Sequence, residues 1–300
     1  MKQTILRLSL ITFTALTLHA SSVEYGNGTI SITGGFIGLD ESISTDISTY
    51  TLKEEHKNIF SSTWYYRYNI TWYDSDKMVQ AQDSINNTIG STSSVVSGTT
   101  GVSSPVIPAI EYRFEGLDLN LALGKDLYHK DENNYFGLGV MVGVSLPWID
   151  SQKDSSNDDS TSDDLMDAMK KSKTEMMTYK IGPSISASFS LNQYFIFYGS
   201  ATYAYQTGTM KNDYANSDLK VDGFFQEYDV GIKIQPFAQN YATSWITLSP
   251  RLYATLGYRY TDWLLQDVAI DVTGVGNTFS QTDFESDSGV VYFGIGYSFF

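Results

Sequence analysis

Cysteine is absent from all 300 residues of this chain. Its absence excludes a lipoprotein anchor, a disulfide framework, thiolate catalysis and cysteine-ligated metal sites. Histidine is scarce as well, because beyond residue 22 only His56 and His129 occur, and neither lies in a recognisable catalytic or metal-binding pattern. The sequence therefore predicts no cofactor and no bound metal, and it makes an enzyme the least favoured functional class.

Long apolar runs are also missing. Lys2 and Arg7 form a basic head, residues 8–18 form an apolar run too short to cross a membrane as a helix, and small residues follow. This pattern predicts a secretory signal peptide over residues 1–22, cleaved after Ala20 or after Ser22. No other stretch approaches twenty apolar residues, so the mature domain, residues 23–300, is predicted to have no membrane helix.

Positive charge is in deficit. Nineteen basic residues face 34 acidic ones, a formal net charge of −15, which becomes −17 once Lys2 and Arg7 are removed with the signal peptide. Such a surface disfavours nucleic acid, because a phosphate backbone requires a basic partner. The acidic runs Asp154–Asp167 and Asp283–Asp287 could recruit divalent cations. Because the first run lacks the glycine and closing glutamate of a regular calcium loop, a solvated loop is the simpler interpretation.

Strict period-2 alternation is what the sequence does contain. Between residues 60 and 73, Trp64, Tyr66, Tyr68, Ile70 and Trp72 share one face of a strand, and polar residues share the other. Trp64 and Trp72 lie about 26 Å apart along an untilted strand and about 20 Å apart in a tilted one, close to the height of an apolar membrane band. Similar faces recur along the chain, and the predicted aromatic girdle residues are Trp64, Trp72, Tyr179 and Phe189.

The last twelve residues, GVVYFGIGYSFF, form another such strand, with aromatic and aliphatic residues on one face. A chain that ends on an amphipathic, aromatic strand resembles the bacterial outer-membrane β-barrel class, whose terminal strand carries the signal for barrel assembly. The resemblance implies the outer membrane of a Gram-negative bacterium, export through the periplasm, insertion by the barrel-assembly machinery, and contact with lipid and lipopolysaccharide. The implied assembly signal comprises Phe293, Ile295, Tyr297, Phe299 and Phe300.

The predicted fold is all-β: a transmembrane, antiparallel, up-and-down β-barrel of ten strands. The strands are expected at about 28–39, 59–73, 108–114, 117–128, 134–147, 177–191, 194–209, 221–235, 245–263 and 289–300. A twelve-strand alternative adds strands near 42–52 and 77–88. With both termini in the periplasm, residues 148–176, 210–220 and 265–287 become extracellular loops. Residues 74–105 then form an unusually long periplasmic connection, interpreted as a flexible insert or a luminal plug.

Charges of both signs are predicted to face the lumen. The inward positions are Arg67, Glu111, Arg113, Glu115, Asp118, Asp126, Lys180, Glu227, Asp229, Lys233, Arg251 and Arg259. Ten strands lie close to the size at which a barrel is filled by its own side chains, so the balance of charge predicts internal ion pairs. A hairpin turn at Glu115–Gly116 would pair Arg113 with Asp118, and a hairpin with its connection at Pro236–Ser244 would pair Asp229 with Arg251.

The predicted function is that of a non-enzymatic outer-membrane barrel with a structural or surface-exposed role. One alternative is a narrow channel for small solutes, whose luminal charges set selectivity. Another is an enzyme at the outer rim, a protease or a lipid-modifying enzyme, with His56 oriented by Glu54 or Glu55. Because His56 is expected in an outer loop and His129 in a periplasmic turn, the two histidines are not expected to share a site. The sequence leaves the oligomeric state open.

Overall fold

A computed structural model describes residues 22–34, 39–59, 63–80, 110–128, 134–153, 173–212, 219–237, 239–242, 247–248, 251–268 and 282–297. The strands are β1 (Ser22–Gly34), β2 (Leu39–Ile59), β3 (Trp64–Ser75), β4 (Met78–Gln80), β5 (Ile110–Asp126), β6 (Tyr135–Lys153), β7 (Lys173–Ser190), β8 (Phe195–Asn212), β9 (Leu219–Ile234), β10 (Tyr241–Ala242), β11 (Thr247–Leu248), β12 (Leu252–Val268) and β13 (Thr282–Tyr297). None of the described residues belongs to a helix long and apolar enough to cross a membrane.

Ten of these strands close into one antiparallel barrel. They follow the order β3, β2, β1, β13, β12, β9, β8, β7, β6 and β5, and the pairing of β3 with β5 closes the ring. The short β4 extends the sheet beside β5, and β10 and β11 pair only with each other. The predicted antiparallel ten-stranded barrel is confirmed.

Two of the predicted strands are nevertheless wrong. β5 runs unbroken from Ile110 to Asp126, so there is no turn at Glu115–Gly116. Gly116 lies under the ring of Tyr73 from β3, which is why a glycine stands there. β2 is the strand that the ten-strand prediction lacked, and only the twelve-strand alternative included part of it. The predicted number of ten strands is still correct, because the false turn counted β5 as two strands while β2 was not counted.

The corrected strands also change which connections share an end of the barrel. We call the end where β1 begins and β13 ends the terminal rim, and the opposite end the loop rim. Residues 81–109 join strand ends at the loop rim, as do residues 154–172 and 269–281. The prediction that 74–105 is a periplasmic connection is therefore wrong. The remainder of that segment, residues 81–105, interpreted as an insert or plug, lies outside the described residues, as do residues 1–21 of the predicted signal peptide.

The outer wall carries a continuous apolar belt. Leu121, Val140 and Ile181 illustrate it, and they are 46%, 54% and 56% exposed. Trp64, Trp72, Tyr179 and Phe189, predicted for the girdles, all lie on outward-facing positions, and Trp72 packs edge-on against Trp148 at 5.3 Å. Soluble proteins rarely expose so large an apolar surface, whereas a closed barrel can place it in lipid with every strand hydrogen-bonded. The wall is that of a transmembrane barrel.

Inward tyrosines rest on glycines of neighbouring strands. The ring of Tyr65 lies over Gly124 and Gly137, and that of Tyr292 lies over Gly257. A Cβ atom at Gly257 would lie 2.5 Å from Cζ of Tyr292 and 2.6 Å from the backbone oxygen of Val230. Glycines at these positions leave the space that the large inward rings occupy.

We expect Gly257→Ala to lower the free energy of unfolding by about 1–3 kcal/mol, because the added methyl group overpacks the interior. Gly199→Ala is the matched control, since a Cβ atom there meets nothing nearer than 3.5 Å. Urea unfolding in lipid vesicles measures both. Equal stability of the two variants would contradict the packing described for Tyr292.

Candidate functional site

The barrel interior has two chemically distinct halves. Inward positions nearer the terminal rim carry charged and hydroxyl side chains, whereas those nearer the loop rim carry aliphatic and aromatic ones. A lumen of this kind is the natural candidate site, because pores, ligand pockets and proton pathways in barrels all use inward residues. Its contacts decide whether anything can pass.

Asp229 on β9 is the centre of the first charged network. Its Oδ2 atom lies 2.7 Å from Nζ of Lys53 and 3.1 Å from a guanidinium nitrogen of Arg259. The hydroxyl of Tyr292 donates a hydrogen bond to its other oxygen. The same Arg259 nitrogen lies 2.8 Å from the carboxylate of Glu24. Two cations therefore share two carboxylates inside the wall, which offsets the penalty of removing each charge from water.

A second network lies closer to the loop rim. Nζ of Lys180 lies 3.2 Å from the carboxylate of Asp118 and 3.7 Å from the ring centroid of Phe225. The side chain of Lys180 is fully buried. The amide of Asn69 donates to both oxygens of Glu227, at 3.4 Å each. Each of these charged groups has a partner, as buried ions require.

The networks span the full width of the lumen. Asn69 lies on β3 and Glu227 on β9, and in the order of the ring these strands are five places apart, on opposite sides of a ten-stranded barrel. Lys53 on β2 likewise reaches Asp229 across four intervening strand pairings. Side chains from opposite walls therefore meet in the middle, and no water-filled channel separates them at this level.

An aromatic layer lies above the charges, toward the loop rim. Trp263 on β12 lies 6.0 Å from Phe114, 5.7 Å from Tyr73 and 6.4 Å from Phe225, measured between ring centroids. Phe114 is on β5, directly opposite β12 in the ring. Buried aliphatic and methionine side chains continue this apolar filling: Ile30, Ile32, Met176, Met210, Val221 and Leu265. The lumen is thus closed twice, by ion pairs and by apolar packing.

A small cavity of about 40 Å³ lies between the two layers. Thr71, Glu227 and Arg259 contribute polar walls, and Tyr73 and Trp263 contribute aromatic ones. It has room for about three or four water molecules, since each requires about 10–15 Å³ of such space. It is too small for a solute such as a sugar or an amino acid.

Most residues predicted to line the lumen occupy inward positions, and three do not. The inward group is Arg67, Asp118, Asp126, Lys180, Glu227, Asp229, Lys233 and Arg259. Arg251 is exposed in the turn before β12, so its predicted pairing with Asp229 is wrong, and Arg259 stands opposite Asp229 instead. The side chain of Glu111 lies outside the described residues.

Arg113 and Glu115 are the other two exceptions. Asp118 faces inward, and residues an odd number of positions away from it on the same strand face outward. Nε of Arg113 donates to Asp74 at 2.9 Å and lies 3.2 Å from Glu115. The predicted pairing of Arg113 with Asp118 fails because β5 does not turn: Arg113 stands opposite Asp150. This outward ion cluster lies just beyond Trp72 and Trp148, at the edge of the apolar belt.

Glu24 and Lys53 were missed by sequence reasoning. β1 begins six residues before its predicted start, which left out Glu24, and Lys53 lies on the strand omitted from the ten. A weak signal was present, because Thr49, Thr51 and Lys53 alternate with Tyr50 and Leu52. The alternation was concealed by the polar composition of the outward face of β2.

His56 does not lie in an outer loop. It lies in β2 near the terminal rim, opposite Tyr66, with the two ring centroids 5.6 Å apart. Glu54 shares its outward face, whereas Glu55 faces inward, so the three residues do not form one group. The β5–β6 connection, which contains His129, is at the same rim, although His129 itself lies outside the described residues. No group of three or more histidine, aspartate and glutamate side chains in the described ranges could hold a metal ion.

No protein-family model matches the chain, and no curated protein sequence matches it. It is similar to outer membrane protease OmpT from Escherichia coli at 9% identity, over 93% of this chain and 97% of that chain, with a TM-score of 0.44. It is similar to the translocator domain of autotransporter NalP from Neisseria meningitidis at 9% identity, over 99% and 98%, with a TM-score of 0.38. It is similar to outer membrane protein OprG from Pseudomonas aeruginosa at 10% identity, over 93% of this chain and 96% of that chain, with a TM-score of 0.32.

Similarity at this level transfers no activity and no ligand to this chain. What the chain is follows from its own wall: ten antiparallel strands, a closed ring and an exposed apolar belt with aromatic side chains. It is an integral outer-membrane β-barrel protein.

The Asp229 network predicts strong coupling between its members. We expect Asp229→Ala to destabilise the barrel by about 3–5 kcal/mol, because Lys53 and Arg259 are then left with too little negative charge. Adding Lys53→Ala to that variant should restore part of the loss. Arg251→Ala is the control and should change stability by less than about 0.5 kcal/mol, as exposed substitutions usually do. Urea unfolding of these four proteins and of the Lys53→Ala single variant measures these differences, and strictly additive effects of Asp229→Ala and Lys53→Ala would contradict the network.

Proposed function

We propose that this protein is a closed barrel with a structural or surface-exposed role, which supports loops at the cell surface and does not conduct solutes. The hydrogen bonds between Asn69 and Glu227 carry the proposal, because they join opposite walls of the lumen. The barrel then acts as a membrane anchor and a rigid base. The chemistry of its function is located at the loop rim, outside the lipid.

An open channel would require both luminal layers to separate. The ion pairs of Asp229 would have to break, and disrupting a buried pair typically costs about 3–5 kcal/mol. The aromatic contacts of Trp263 would have to break as well. Passive conduction through the resting barrel is therefore disfavoured, although the small-solute channel remains the second candidate because charged side chains do line the lumen.

The loop rim is supported by an interior like that of a soluble protein. Ile32 and Phe284 are fully buried there, and the apolar side chains around them form one continuous cluster. Strands packed on such a core have firmly supported ends at this rim, and these are the strand ends that flank residues 81–109, 154–172 and 269–281 in the sequence. This arrangement suits the display of surface loops. The acidic run Asp283–Asp287 lies within β13 at the loop rim, where Asp283 and Glu285 are exposed and could bind lipopolysaccharide phosphates through divalent cations.

The terminal strand supports the proposed route to the membrane. Phe293 and Ile295 on β13 face outward, 54% and 56% exposed, and β13 pairs with both β1 and β12. We assign the assembly signal for the barrel-assembly machinery to Phe293, Ile295 and Tyr297 together with Phe299 and Phe300. The last two residues lie outside the described ranges. The signal peptide over residues 1–22 belongs to the same proposed export route.

The closed lumen predicts negligible current. Purified protein in a planar bilayer should show no steady open-channel conductance, whereas a sixteen-stranded porin, whose lumen holds water, is the positive control. Asp229→Ala combined with Trp263→Ala should raise the frequency of openings, because it removes the centre of one layer and of the other. A large, stable current through the wild-type barrel would favour the channel alternative.

The proposal also predicts that His56 is dispensable. It lies on the outer wall against Tyr66, and it is not placed at the loop rim where a surface substrate would arrive. We expect His56→Ala to fold normally, as judged by heat-dependent migration on a gel. A panel of peptide and phospholipid substrates should show no turnover by the wild type. Turnover that disappears in His56→Ala would establish the rim-enzyme alternative instead.

A further inference from the structure

The outer wall is indented at the seam between β7 and β8, close to the terminal rim. Ala187 of β7 stands opposite Gly199 of β8, and the next outward pair toward the rim is Phe189 with Phe197. Small residues thus form the floor of the indentation, and aromatic rings border it. Its volume of about 350 Å³ is at the lower end of the range for ligand pockets, about 300–1,000 Å³. We call it the β7–β8 groove and define it by the lining residues Tyr128, Ala187, Phe189, Phe197 and Gly199.

Gly199 is not required by the packing of the barrel. A Cβ atom there would meet nothing nearer than 3.5 Å, and its φ angle does not lie in the left-handed region. Gly289 also faces outward, but a Cβ atom there would lie 2.5 Å from the hydroxyl of Tyr258. Glycine inside a strand weakens the sheet, and it often marks a place where a ligand approaches closely. The space above Gly199 is therefore open although a side chain would fit.

The β7–β8 groove opens to hydrocarbon. Gly199 stands opposite Val230 of β9, and Ala187 stands opposite Phe136 of β6. Val230 and Phe136 are 56% and 43% exposed in the apolar belt. Because paired residues on neighbouring strands lie about 5 Å apart, the floor of the groove is at the depth of the belt, with belt residues on both sides of it.

Polar side chains at the border of the groove are engaged within the wall. Oδ1 of Asn134 accepts a hydrogen bond from the backbone nitrogen of Ser190 at 3.0 Å. The hydroxyl of Tyr198 lies 2.8 Å from that of Tyr292. A polypeptide segment in the groove would need partners for its backbone amides and carbonyls, whereas hydrocarbon needs none. The lining therefore suits an alkyl chain.

Lys125 adds a positive charge at the same end of the barrel. It faces outward near the end of β5 and is exposed. Among the described residues, no acidic side chain forms an ion pair with it. It stands opposite Leu138 of β6, which stands opposite Ile185 of β7. Two strand spacings, about 10 Å, thus separate Lys125 from β7, and lysines at the edge of hydrocarbon direct the ammonium group toward the headgroups.

We infer that the β7–β8 groove holds an acyl tail of a phospholipid from the periplasmic leaflet, whose phosphate is attracted by Lys125. The groove lies at the terminal rim, where residues 191–194 join β7 to β8 in a short turn, as on the periplasmic side of outer-membrane barrels. A second barrel would present a convex wall, which cannot enter a groove, whereas a flexible tail can.

The energy of binding must come from shape and charge. A tail gains no hydrophobic free energy when it moves from bilayer hydrocarbon to a protein wall, because both are apolar. In the groove it gains dispersion contacts with the floor and with the bordering rings, which a flat wall does not offer. The attraction of Lys125 favours anionic over zwitterionic headgroups. The inference does not depend on whether the lumen is closed.

The first test measures retained lipid. Protein folded in vesicles of equal phosphatidylglycerol and phosphatidylcholine is extracted into mild detergent, and native mass spectrometry measures the lipid that stays bound. The wild type should retain phospholipid, and Gly199→Leu should reduce retention severalfold because its side chain fills the floor. Val142→Leu, on the lipid-facing wall of β6, is the matched control and should retain lipid like the wild type. Heat-dependent migration on a gel confirms folding, and Ala187→Leu fills the groove from the other strand if Gly199→Leu does not fold.

The second test concerns the headgroup. Lys125→Gln should abolish the preference for phosphatidylglycerol over phosphatidylcholine, whereas Lys220→Gln, which removes an exposed lysine at the loop rim, should leave it unchanged. The inference is overturned if the wild type retains no lipid, if the filled groove retains as much as the wild type, or if Lys125→Gln keeps the full preference. Lipopolysaccharide in place of phospholipid on protein isolated from native outer membranes, or a lipid-free dimer, would overturn it as well.

Discussion

Closure of the hydrogen-bonded sheet is the constraint on which the structure depends. In hydrocarbon an unpaired backbone amide or carbonyl costs several kcal/mol, so a sheet that crosses the membrane cannot have open edges. The pairing of β3 with β5 removes the last two edges. Closure with ten strands then limits the width of the lumen, and that width lets Asn69 on one wall reach Glu227 on the opposite wall. The chemistry of the interior is a consequence of the ring size.

The interior stabilises buried charges because it is narrow enough for charged side chains from several strands to contact the same partners. Arg259 contacts both Glu24 and Asp229, and Asp229 also contacts Lys53, so the four charges compensate one another as a group. Nearer the loop rim the same narrow lumen is filled by aromatic and aliphatic side chains, as around Trp263. The barrel therefore combines a membrane-protein wall with an interior that is ionic at one level and apolar at the next, and this combination favours a support over a pore.

Sequence patterns predicted the elements in which one face is strongly apolar. Trp64 to Trp72 and the run from Leu117 to Leu123 were recognised because large outward residues alternate with small or polar ones. β2 was missed because its outward face carries Ser48, Glu54 and His56, which weaken the contrast between the faces. The Glu115–Gly116 pair imitates a hairpin turn, but the glycine serves the ring of Tyr73 on the next strand. Both errors, the missed strand and the false turn, arise where a residue fits a contact with another strand: Glu54 contacts Tyr68 of β3, and Gly116 contacts Tyr73 of β3.

The sequence by itself determined the class of the protein, because period-2 alternation, aromatic belts and the lack of cysteine are properties of single strands and of composition. It also determined that charges face inward, since inward and outward positions alternate along each strand. Only the tertiary structure decided which charges meet. Lys53 and Asp229 are 176 residues apart and come together through the strand count and the stagger of the closed ring. Asp229 accordingly pairs with Arg259 and not with Arg251, because register in a barrel is set by all ten strands together.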